Sequence, residues 1–75
     1  MNDVAYRRMI KELDKIGNLE DTNKAKQEIN ERIDMIEKII SSGFHKIFKS
    51  KGQEQIQDLL KYAKRIRFEI LMKEN

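Results

Sequence analysis

Apolar residues recur through this chain at intervals of three and four. Ile29, Ile33, Ile36 and Ile40 form the clearest run, and further sets at the same spacing lie on both sides of it. Residues three and four apart share one face of a helix, and an apolar face must be buried against another element. The pattern therefore predicts an all-α fold, a small three-helix bundle within a single domain spanning residues 1–75. Two long antiparallel helices and a shorter N-terminal helix make up the bundle. No proline interrupts a segment, and no strand-like alternation, hairpin dipeptide or internal repeat competes with this reading.

The first helix is expected near residues 3–16, capped by Asn2 or Asp3, with Tyr6, Met9, Ile10, Leu13 and Ile16 inward. Gly17 supplies the left-handed residue that often ends a helix. Residues 17–21 read as a short turn in which Asn18, Asp21 and Thr22 are candidate acceptors for the next helix's free amides. So short a link implies antiparallel neighbours. The second helix is expected from Thr22 to Ser42, burying Ala25, Ile29, Ile33, Ile36, Ile39 and Ile40. Ser41-Ser42-Gly43-Phe44 resembles a Schellman stop, with Phe44 folding back on Ile39. The alternative is one long helix weakened at Gly43, because Phe44, Ile47 and Phe48 continue the phase. The preferred reading is a stop followed by a short helical turn near 44–49. Ser50 and Gln53 then match a capping box, and the third helix spans about 51–73 with Ile56, Leu59, Leu60, Ala63, Ile66, Ile70 and Leu71 inward.

Seventy-five residues bury only about 60% of the unfolded chain's surface on folding, so such a domain is marginal unless something adds to it. The chain has no Cys and a single His, which removes disulfides and leaves oligomerisation as the common remaining route to extra burial. The missing cysteines also fit a reducing compartment. The N-terminus lacks a basic region followed by an apolar run, so no secretory signal is expected. The longest apolar run, Ile70-Leu71-Met72, falls far short of the roughly 20 residues of a membrane span. Expected localisation is cytoplasmic, or host-cytoplasmic if phage-encoded, since eleven Ile and eleven Lys beside three Ala suggest a low-GC bacterium or its phage.

Charged residues are 39% of the chain, yet the net charge is only +3, too small by itself to argue for nucleic acid. Its distribution says more. Residues 1–38 carry eight basic and nine acidic groups, whereas residues 39–75 carry eight basic and four acidic ones. Any bound anion is therefore expected in the second half.

Three departures from clean amphipathicity mark candidate sites. Arg67 projects into the third helix's apolar stripe, where it either snorkels or pairs with an acidic residue of another helix, or reaches an anion on a partner. Phe68 and Met72 form an i, i+4 pair opposite that stripe, on the face of Lys61 and Arg65; these four are the expected partner-binding residues. Basic residues with interleaved Phe44 and Phe48 supply a possible nucleic-acid surface of Lys46, Lys49, Lys51, Lys61, Lys64, Arg65 and Arg67. Its structural counterpart is two phenylalanines plugging the bundle's end, with the lysines solvated.

Catalytic chemistry finds no support. There is no HExxH, phosphate loop or Cys nucleophile; Ser41 and Ser42 read as helix-end residues, and His45 has no companion. Glu28, Glu31, Asp34 and Glu37 read as the solvated side of a helix. No cofactor or metal is expected. The expected role is a non-enzymatic protein-protein interaction module or small regulator. It would self-associate by packing helix 3 against its symmetry mate. Binding of nucleic acid by the basic C-terminal half is the alternative.

Overall fold

A computed structural model describes residues 3–42 and 50–74. The expected stop at Gly43, the Phe44–Ile39 contact, the turn near 44–49 and the rival continuous helix lie outside the described residues. The described chain forms α1 (Asp3–Gly17), α2 (Thr22–Ser41) and α3 (Ser50–Glu74), with no strand among the described residues. The molecule is a three-helix bundle, and its two longer helices are the ones predicted.

Cross-helix contacts give the directions. Arg32 of α2 meets Glu12 of α1 at 3.3 Å, and Lys26, near the start of α2, meets Glu74 at the end of α3 at 2.8 Å. Gln55 near the start of α3 reaches Asp3 at the start of α1. So α2 runs antiparallel to both neighbours, and α1 and α3 run parallel. Helix α3 packs against both others, most extensively against α2.

The isoleucine period does what its spacing requires. Ala25, Ile29, Ile33 and Ile36 of α2 are buried against Leu13 and Ile16 of α1 and Ile56, Leu59, Ala63, Ile66 and Ile70 of α3. Ile29 and Leu59 have no exposed surface, and a fully buried side chain of that size contributes about 1.5–3 kcal/mol. Tyr6, Met9, Ile10, Ile39, Ile40 and Leu60 pack at the margin of this core, half-buried. Leu71 departs from expectation. It is 43% exposed, because at about 100° per residue it lies some 100° round the helix from buried Ile70 and only some 60° from Phe68 on the outer face.

The helix ends show which polar residues do the capping. Asp21, in extended conformation before α2, accepts from the Lys24 amide at 3.1 Å; of the three candidate acceptors in the turn, this is the one that fills the N-cap role. At the other end, Ser42 donates its hydroxyl to the Ile39 carbonyl at 3.0 Å. Gly17 is not a left-handed terminator. It is the last helical residue of α1, and a Cβ placed on it would stand 3.2 Å from Ile66 Cγ2. Glycine here permits close approach of α1 to α3. The Lys73 ammonium then donates to the Gly17 carbonyl at 2.6 Å, putting a cation at the negative pole of α1. The expected capping box of Ser50 and Gln53 turns on the Ser50 side chain, which lies outside the described ones; α3 is described from Ser50 onward.

Candidate functional site

Helix α3 shows different surfaces round its circumference. One flank serves α1. There the Tyr62 hydroxyl donates to the Asp14 carboxylate, one turn from the Lys73–Gly17 contact. That hydrogen bond holds the Tyr62 pKa above its usual value, helped by partial desolvation and by the negative charge of Asp14 and opposed by Arg65. Asp14, Gly17, Tyr62, Arg65, Glu69 and Lys73 border a polar groove of about 360 Å³.

The opposite flank serves α2. Arg67 is half-buried and donates from Nη1 to Asn30 Oδ1 at 3.5 Å. Of the sequence alternatives for this arginine, pairing with an acid of another helix is not what is found among the described residues; an amide oxygen of α2 stands there. A neutral acceptor at that distance makes a weak bond, so much of the guanidinium's hydrogen-bonding capacity stays with solvent.

Between these flanks lies the outward face. Phe68 is 62% exposed and Met72 57% exposed, with Leu71 beside them. Lys61, Lys64 and Arg65 stand one to two turns before this cluster and are exposed. Arg65 pairs with Glu69 at 3.4 Å across one turn; among the described residues Lys61 and Lys64 make no ion pair. The four residues expected to meet a partner thus share one surface, and Leu71 joins them. The sequence argument missed Leu71 by assigning it inward, although its i+3 spacing from Phe68 was the signal that would have found it.

The basic surface is assembled only in part. Lys61, Lys64 and Arg65 lie together on α3, with Arg67 turned toward α2. Lys46 and Lys49 lie outside the described residues, as does the side chain of Lys51.

Helix α2 carries four basic and four acidic groups, with Lys24 and Lys38 among the exposed ones. Glu31, Asp34 and Glu37 are exposed on it, and among the described residues none of the three makes an ion pair. A groove of about 350 Å³ between α1 and α2 is bordered by Glu12, Lys15, Lys24, Glu28, Glu31 and Arg32, charges of both signs that select no particular ion. Among the described residues no group of three or more His, Cys, Asp or Glu is placed to hold a metal ion, and no helix is long and apolar enough to cross a membrane.

Comparison of the chain with protein-family models, with curated proteins and with solved structures finds no match.

Proposed function

We propose that this chain is a non-enzymatic interaction module that self-associates through the outward face of α3. The observation that carries the reading is the exposure of Phe68, Leu71 and Met72 within five residues, on a helix whose other large apolar residues are covered or half-covered. A single exposed apolar side chain needs no explanation, whereas an aromatic, a leucine and a thioether side by side make a patch of the kind that meets a partner. Just over half of Phe68 and Met72 remains to be covered, so docking gains roughly 1–2 kcal/mol from each before ordering costs. A bundle of this size is stabilised by such burial. The cysteine-free sequence fits a reducing cytoplasm, and the isoleucine- and lysine-rich composition fits a low-GC bacterium or its phage.

Sedimentation equilibrium at tens of micromolar protein tests the reading. Wild type is expected to dimerise and Phe68→Ser to shift to monomer without loss of helicity. A wild type that stays monomeric removes self-association. Titration with single- and double-stranded DNA and RNA at low salt tests the rival surface. Binding that weakens steeply with salt, as counterion release demands, and that is lost in Lys61→Glu/Lys64→Glu would replace the interaction reading with a nucleic-acid one.

A further inference from the structure

If two copies meet through α3, the charges on the helices decide what α3 meets; this inference rests on the self-association reading. The Arg67–Asn30 and Glu74–Lys26 contacts mark the edge where α2 and α3 adjoin on the side away from α1. The contacts of α1 leave from the other flanks, through Arg32 on α2 and through Tyr62 and Lys73 on α3. Stepping by three or four from Arg67 gives the strip Lys64 and Leu71; stepping likewise from Asn30 gives Asp34 and Glu37. The same contacts set the levels. Arg67 stands level with Asn30 and Glu74 with Lys26, so in antiparallel helices Lys64 stands about level with Asp34, and Lys61 with Glu37. All four are exposed and, among the described residues, free of ion pairs.

Two symmetric dimers use the α3 face. A two-fold axis perpendicular to the helices sets α3 against α3. If the overlap is centred on Phe68 and Met72, the helices overlap only in their last turns; if it is centred between Arg65 and Phe68, Arg65 falls level with Phe68 and Lys61 with Met72, setting charge on the apolar residues; if it is centred near Lys64, Lys61, Lys64 and Arg65 confront their own copies. Like charges brought together in this way disfavour the pairing. A two-fold axis along the bundle keeps every residue at its own level and sets α3 against α2 of the second copy, antiparallel. Lys64 then faces Asp34 of the second copy and Lys61 faces Glu37, with Phe68 about one turn and Leu71 about two turns beyond Lys64. The seam occurs twice, as an isologous interface requires, and the helix dipoles oppose. Arg65 and Met72, farther round α3, flank it.

We propose that α3 of one copy docks on α2 of a second copy, with Lys61 and Lys64 opposite the second copy's Glu37 and Asp34. The interface is then a pair of equal seams in a four-helix layer.

Charge reversal on either helix tests this, with circular dichroism to confirm that these surface variants keep their helices. Lys61→Glu/Lys64→Glu and Asp34→Lys/Glu37→Lys are each expected to weaken self-association by more than about tenfold, and an equimolar mixture of the two to form a heterodimer, since both seams regain opposite charges. Wild-type association is expected to weaken as salt rises, because attraction between exposed charges is screened. Should Asp34→Lys/Glu37→Lys dimerise as tightly as wild type, or should wild-type association tighten with salt, the α2 seam is wrong; Phe68→Ser still dissociating the dimer would leave the self-association reading standing. A wild type that is monomeric throughout overturns both.

Discussion

Replacing Gln55 with methionine is expected to make the protein more stable, although it deletes a hydrogen bond between helices. Gln55 is 9% exposed. Its Nε2 donates to Asp3 Oδ1 at 3.3 Å, while its Oε1 is buried and has no hydrogen-bond partner among the described residues. A buried acceptor left unsatisfied costs about 1–3 kcal/mol. The bond to Asp3 is long and ends on an exposed carboxylate that water solvates equally well, so its loss costs roughly 0.5–1 kcal/mol. Methionine has nearly the same length and volume, fills the site without a cavity, and removes the orphaned oxygen. The balance is about 1–2 kcal/mol in favour of Gln55→Met, or roughly 5–15 °C in Tm for a domain of this size. Urea unfolding followed by far-ultraviolet circular dichroism, at concentrations where the protein is monomeric, measures it. Gln55→Glu serves as the opposing control, since it places a carboxylate beside Asp3 in a buried position and should destabilise strongly. A Gln55→Met midpoint equal to or below wild type, with unchanged slope, would show that the carbonyl is satisfied in solution and refute the reasoning.

Two further substitutions test how α1 is held. Gly17→Ala brings a methyl within 3.2 Å of Ile66 Cγ2, a contact relieved by a few tenths of an ångström and offset by better helix propensity, so stability should change by less than about 1 kcal/mol; Gly17→Val overfills the same gap and should cost about 1–3 kcal/mol, the two being compared by thermal melts. Tyr62→Phe should lose about 0.5 kcal/mol at neutral pH, a small figure because the Tyr62–Asp14 pair is largely open to solvent. The Tyr62 pKa is raised in the folded protein, so the hydrogen bond's contribution is complete below the unfolded tyrosine value near 10 and is lost as pH climbs through the folded one. The stability gap between wild type and Tyr62→Phe should hold constant from pH 6 to 9 and close in more alkaline solution; a gap that instead closes between pH 9 and 6 would show that the phenol is not the donor to Asp14.

The helices were legible because burial and period coincide in α2. With Ala25, Ile29, Ile33 and Ile36 inward and acids outward, a single angular stripe settles the orientation, and the short turn to α1 settles the direction. The outward position of Phe68 and Met72 was legible for the same reason, being what remains when the inward stripe of α3 is assigned.

Less of α3 was legible, and the reason lies in its length and its two neighbours. A helix that packs in the angle between two others buries a broad arc, and residues at the rims of that arc change role along its length. Leu60 and Leu71 lie near the same rim; the first is half-buried and the second 43% exposed. Arg67, some 20° to the core side of Leu60, meets the polar flank of α2 at Asn30 rather than an acid, which follows from levels along the bundle that no single-helix projection contains. Gly17 shows the same limit from the side of α1. Glycine after an apolar stripe signals a helix end by local conformation, yet here its lack of a side chain serves the packing of Ile66, forty-nine residues later in the chain. Local period thus reveals which residues a helix hides, whereas the partners of rim residues depend on register between helices. That register is also what turns the separate acidic and basic exposures of α2 and α3 into two strips at matching heights. The fit between those strips in a second copy depends on no local motif, and charge reversal at Asp34 and Glu37 is the measurement most sensitive to it.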